Sequence, residues 1–193
     1  MEEIDRIISA VDRSKAEGQR NRAILETLYS CGLRVSELVN LKLSDLYFDE
    51  GFIKVEGKGS KQRLVPISPR AINEIKLYFT DRNRIEVKKE YEDFVFVSQR
   101  RGKGLSRIMI FHMIKELAQT AGIIKNISPH TFRHSFATHL LEGGANLRAI
   151  QCMLGHESIA TTEIYTHIDR NMLRSEIIEH HPRNIKYRKE KER

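Results

Sequence analysis

The stretch Ser128–Ile168 reads SPHTFRHSFATHLLEGGANLRAIQCMLGHESIATTEIYTHI, and its spacing is helical through most of its length. Phe132, Phe136, Ala137, Leu140 and Leu141 form an apolar stripe of the kind that faces a core. His130 and Arg133 are three apart and fall together on one face. Gly143-Gly144 ends this helix, because glycine takes a left-handed cap without strain. Asn146 caps the next helix, Leu147, Ile150, Met153 and Leu154 carry its apolar face, and Gly155 stops it. His156 therefore stands just past a helix end, and Ser158 is placed to cap a third short helix that bears Tyr165.

The chemistry of this set is specific only when its members are taken together. Arginine presents a planar fork of donors that matches a phosphate. Histidine donates to a phosphate oxygen or moves a proton near neutral pH. Tyrosine becomes a nucleophile once its proton is removed. Each of these residues alone is ordinary helix furniture; Arg133, His130, His156 and Tyr165 on one frame point to phosphoryl transfer to tyrosine. The rival reading of His130, His134 and His139 as metal ligands fits poorly. His134 and His139 are five apart, off a common helix face, and the chain has no CxxC or HExxH. Serine hydrolase chemistry lacks its G-x-S-x-G elbow. No metal and no cofactor is expected.

Outward from this stretch, Ile4, Ile7, Ile8 and Val11 recur at helical spacing, and Asn21–Leu43 reads as two helices broken at Gly32. Arg34 opens the second of these, where a side chain reaches past the core into a cleft, with Glu37 three residues on as its candidate partner. The period then changes. The runs LYF, FIKVE and RLVPI, separated by DEG and GKGSK, predict a three-stranded antiparallel sheet with Lys58 in its second turn. A solvated hairpin tip is the ordinary role for such a lysine, and the phosphate-loop pattern is absent. Ser68-Pro69 opens a further helix by cap and proline. Phe94–Val97 is a short apolar run, read as an edge strand or a buried segment, and Ser98–Gly104 is a basic loop that is a candidate phosphate contact. Another helix starts at Ser106, and Met172, Leu173, Ile177 and Ile178 suggest a last amphipathic one. The fold class is mainly α with a small three-stranded antiparallel β-sheet.

Length and charge agree with that class. The 193 residues suffice for one domain with a proper core. No run of 18 or more apolar residues is present, and the N-terminus lacks an apolar signal region. Cys31 and Cys152 fall in apolar helical patterns and are read as buried free thiols of a reducing, cytoplasmic compartment. The formal charge is +7, but the stretch 182–193 holds six Lys/Arg against two Glu, leaving +3 for 1–181. Such a charge permits a nucleic-acid partner, but a surface for one would have to come from clustering in space, and the basic tail is expected to be a solvated terminus.

HTFRHSFATHLL, LGHESIATTEIYTH and, upstream, GLRVSELVNL resemble the tyrosine recombinase (phage integrase) family, most closely the Xer-type recombinases that resolve chromosome dimers. The likeness runs from about Asn21 to Pro182. It implies the family's catalytic domain over 1–181 without the N-terminal DNA-clamping domain, hence a fragment or a minimal relative, followed by the basic tail 182–193. It also implies a site-specific recombinase that cuts double-stranded DNA through a 3′-phosphotyrosine link and reseals it without ATP or metal. By resemblance, Arg34 and Arg133 clamp the phosphate and Lys58 is the general acid toward the leaving 5′-oxygen. His130 shares the tyrosine proton, His156 donates to the phosphate, and Tyr165 is the nucleophile. Self-association on DNA into a tetrameric synapse is implied too, with the helix about 172–181 docking on a neighbouring protomer; docking on its own domain is the alternative. Two other readings stay open: a type IB topoisomerase-like enzyme that nicks and reseals, and a non-catalytic DNA-binding module using the helix pair between Asn146 and Tyr165.

Overall fold

Residues 23–31 are all buried, which makes the helix that carries them the axis of the molecule rather than a surface helix with one apolar face. The computed structural model describes residues 2–155 and 170–191; of Lys58 only the backbone is described. Among the described residues the α-helices are α1 (Glu2–Ser9), α2 (Gly18–Cys31), α3 (Val35–Val39), α4 (Pro69–Arg82), α5 (Arg107–Thr120), α6 (Pro129–Glu142), α7 (Leu147–Leu154), α8 (Arg170–His180) and α9 (Pro182–Lys191). Strands β1 (Leu46–Tyr47), β2 (Phe52–Glu56) and β3 (Gln62–Pro66) lie between α3 and α4 as an antiparallel meander in the order β1-β2-β3. The mainly-α reading with its three-stranded sheet therefore stands.

A helix buried all round has to satisfy its polar side chains internally. In α2, Thr27 donates to the Ala23 carbonyl at 2.7 Å, and the Ser30 hydroxyl pairs with the Ser68 hydroxyl at 2.7 Å. Ser68 in turn accepts the Ala71 amide at 3.2 Å, so the cap of α4 is tied directly to α2. Glu26 is met by Arg70 at 3.1 Å and by Arg183. Against α2 pack α4 and α6, with α1 and α3 at its flanks. The core they share includes Ile24, Leu28, Tyr29, Ile75, Phe132 and Phe136.

Several expectations are refined. Phe94–Val97, buried from Val95 on, is a segment joined by single bridges, Lys42 to Phe94 and Val97 to Gly104, rather than a strand of the sheet. Gly143 keeps right-handed torsions, and the left-handed residue is Gly144 at φ +92°. Gly143 is needed for closeness instead: a β-carbon there would stand 2.5 Å from the His180 carbonyl oxygen. Cys31 is buried, but Cys152 is half-buried; both are free thiols.

The C-terminus departs most. The stretch expected to be a solvated basic tail is helix α9, because Arg183 is buried against Glu26 and Asp5. Ahead of it, α8 buries Leu173 and Ile177 in the core of its own chain, packing against α6, α7 and β3. In the single chain the helix at 172–181 is thus docked in cis. Among the described residues no helix is long and apolar enough to cross a membrane. The expected short helix from Ser158 through Tyr165 lies outside the described residues.

Candidate active site

Arg34 follows the break at Gly32 and Leu33 and is the N-cap of α3, with extended torsions of φ −69° and ψ 149°. A helix start leaves amides without intrahelical partners, and Glu37 supplies one: its Oε2 accepts the Arg34 amide at 2.8 Å. Glu37 Oε1 accepts Arg34 Nη1 at 3.1 Å, so the partner read from spacing is the observed one. The Glu37 side chain is fully buried, and burial pushes its carboxyl pKa up. The hydrogen bond and charge of Arg63, with help from Arg34, outweigh that and hold it below the usual carboxylate range. Arg34 itself is part exposed, at the edge of an open cleft of about 660 Å³ between α3 and the sheet.

Arg133 projects from α6, which Pro129 starts after the cap residue Ser128. Its Nη1 donates to the Gly32 carbonyl and its Nη2 to the Leu154 carbonyl, both at 2.7 Å. Gly32 is the left-handed cap of α2, two residues before Arg34, so two arginines far apart in sequence meet at one helix break. Burial, then the nearby Arg34 charge, push the Arg133 guanidinium down to about 10, which leaves it protonated at neutral pH. A guanidinium has five N–H donors, and these two carbonyls engage one on each terminal nitrogen.

His130 is exposed in the first turn of α6, one turn before Arg133. Lys58 lies in the five-residue turn between β2 and β3, closed by the Gly57 amide donating to the Lys61 carbonyl at 2.8 Å. Gly59 and Ser60 take positive φ there, 72° and 57°. His156 and Tyr165 lie outside the described residues. The chain that enters His156 is described up to Gly155, a left-handed cap at φ +65°.

One residue escaped sequence reading. Arg63 on β3 is buried and donates to Glu37 through both terminal nitrogens, at 2.6 and 3.1 Å, and through Nε to the Met153 carbonyl at 2.9 Å. The signal was the strand alternation: in QRLVP, Arg63 shares the inward phase with Val65. A charged residue on the core side of a strand demands a buried partner.

Comparison with known proteins fixes the class. Residues 1–172 match the phage integrase family, and the chain belongs to it. It is 45% identical over 181 residues to the tyrosine recombinase XerD of Pseudomonas putida, an alignment covering 94% of this chain and 60% of that protein. Its fold superposes on the crystal structure of XerA recombinase with a TM-score of 0.73 at 39% identity, covering 94% of this chain and 62% of the other. With the XerH site-specific recombinase, solved bound to its difH substrate before cleavage, the TM-score is 0.70 at 30% identity, covering 86% and 49%. The chain thus spans about 60% of the length of the curated relatives it matches.

Proposed function

We propose that the chain is the catalytic part of a site-specific tyrosine recombinase of the Xer type, acting on double-stranded DNA. One observation carries the chemistry: Arg133 donates to the carbonyl of Gly32, two residues before Arg34, and feels the Arg34 charge, while Arg34 and Gly57, the residue before Lys58, line one cleft. Two neighbouring guanidinium groups suit an anion with two non-bridging oxygens, and they lie in a chain similar to proteins named as recombinases.

In this reading the Tyr165 oxygen attacks the phosphorus of a phosphodiester, and His130 takes the phenolic proton. The bond from phosphorus to the 5′-oxygen breaks, Lys58 protonates that oxygen, and a 3′-phosphotyrosine link remains. Arg34, Arg133 and His156 hold the charge that builds on the non-bridging oxygens. Attack by a second 5′-hydroxyl reverses the steps and reseals the strand, so the phosphodiester energy is conserved and no cofactor enters.

Assembly on DNA as a tetrameric synapse belongs to the same proposal. So does a trans seat for α8 in that assembly, reached by leaving the cis seat of Leu173 and Ile177. The test is capture of a covalent adduct. The chain is incubated with nicked duplexes randomised at the site, and protein–DNA links that survive denaturant are recovered. The wild-type chain should form the adduct and Tyr165→Phe should not. Adduct formation by Tyr165→Phe, or none by the wild type, overturns the reading. Joining of two captured duplexes separates a recombinase from an enzyme that only nicks and reseals.

A further inference from the structure

Arg63 takes no part in the proposed reaction, yet it lies where three of the segments that carry it meet. Its side chain is 6% exposed and that of Glu37 is fully buried, so neither faces DNA. What it holds is backbone. Through Glu37 it reaches the amide of Arg34. Through Nε it holds the Met153 carbonyl, three residues before His156, beside the Leu154 carbonyl that Arg133 holds. It also lies close to the residues preceding Lys58 and His156. A β-carbon on Gly155 would stand 3.1 Å from Cδ, Nε and Cζ of Arg63, and one on Gly57 would stand 3.6 Å from Nη1.

We propose that Arg63 is a positioning residue, a strut that sets the Lys58 hairpin, the Arg34 helix start and the chain entering His156 relative to one another. This rests on the recombinase reading for its catalytic consequence. The geometry calls for arginine: a planar fork serves a carboxylate and a carbonyl at once, whereas a lysine ammonium on a flexible stem serves one place. Stability alone does not account for it. A buried ion pair contributes little over a well-packed apolar pair of the same size, so a merely structural site is replaceable by hydrophobic side chains. A positioning site is not, because its directional bonds to the Glu37-held amide and to Met153 vanish.

Two variants and two readouts test this. Arg63→Lys keeps the charge and loses the fork; the double variant Glu37→Met with Arg63→Met fills the volume and loses every bond. The first readout is the single-turnover rate of adduct formation at saturating nicked duplex, using the sequence captured by the wild type. The second is amide hydrogen exchange at Gly57 and Gly155 without DNA; both amides are bonded, to the Lys61 and Cys152 carbonyls. Both variants should fold, form adduct about 10- to 100-fold more slowly, as expected when reacting groups are misplaced by a fraction of an ångström to an ångström, and exchange faster at both glycines. DNA affinity should stay within about twofold, since the change is one of geometry and no group facing DNA is removed. Wild-type rate and exchange in either folded variant overturns the proposal. Loss of the fold in both, read by urea unfolding, makes Arg63 a stability residue and also overturns it. A wild-type chain that forms no adduct sinks the recombinase reading, while the exchange, which needs no DNA, still decides whether Arg63 holds the two backbones.

Discussion

Arg133 on α6 holds the carbonyl oxygen of Leu154 at 2.7 Å, and so ties the last turn of α7 to the helix that carries His130. The same guanidinium holds Gly32, which fixes the approach to Arg34. Two carbonyls from different segments fix its position, and in the proposed reaction that is the property electrostatic catalysis needs: donors already aimed where charge develops.

Arg133→Lys should therefore fail in two ways. A lysine cannot span both carbonyls and still offer an edge to phosphate. Adduct formation should fall by about 10²–10³, the usual cost of losing an oriented donor. Stability should fall by about 1–3 kcal/mol for carbonyls left without partners. Single-turnover cleavage and urea unfolding measure the two losses separately; an unchanged rate with lowered stability would leave Arg133 a structural clamp alone.

His181, between α8 and α9, predicts a pH dependence. It is fully buried and its ring is bonded to the Tyr29 carbonyl through Nε2 at 3.1 Å. Burial pushes its pKa down to about 4, against the partial help of that bond and of Glu26. The folded state thus resists a proton that the unfolded chain accepts near pH 6.5. Stability is fully present above that value, is lost as pH falls from about 6.5 to about 4, and loses nothing further from this residue below. Urea unfolding at pH 7 and pH 4.5 should show a smaller difference for His181→Gln than for the wild type. An equal difference would assign the loss to the buried carboxylates instead.

How much of this was open to sequence reading depended on the range of the interactions involved. The Ser68 cap, the hairpin around Lys58, and Arg34 with Glu37 are set within a few residues, so local pattern was enough. The C-terminal helix is not legible in the sequence because Arg183 is held by Glu26 and Asp5, 157 and 178 positions away, and six Lys/Arg in twelve residues look solvated without them. Arg63 is hidden for the same reason: its partners come from α3 and α7, and only its inward phase hints at them.

Salt dependence separates the two basic segments. Arg183 and Lys186 are already paired with Glu26 and Asp5, while Arg100, Arg101 and Lys103 on the loop before α5 are exposed and in no ion pair among the described residues. Replacing the three loop residues with alanine should lessen the slope of log affinity against log salt by about 0.9 for each phosphate that the loop no longer neutralises. Lys186→Ala should leave it unchanged. Fluorescence anisotropy on a random duplex between about 50 and 200 mM salt, the range where such slopes are large, checks both. Equal slopes for the loop variant and the wild type would place the loop off the DNA.

The roles of Lys58 and Tyr165 separate on a modified substrate. In the proposed reaction Tyr165 supplies the attacking oxygen, and Lys58 gives a proton to the 5′-oxygen as it leaves. An alkoxide leaves poorly, so Lys58→Ala should slow cleavage by roughly 10²–10⁴, the span of general acid catalysis. Sulfur in place of that bridging oxygen removes the need, because a thiol with a pKa of about 8.5 leaves as thiolate near neutral pH. Lys58→Ala should then recover most of its rate. Arg34→Ala and Arg133→Ala should stay slow, since they act on the non-bridging oxygens, and Tyr165→Phe should be inert on both substrates. Equal slowness of Lys58→Ala on oxygen and sulfur would return Lys58 to the part of a hairpin tip or a plain phosphate contact, and the proton would have to come from another group at the site.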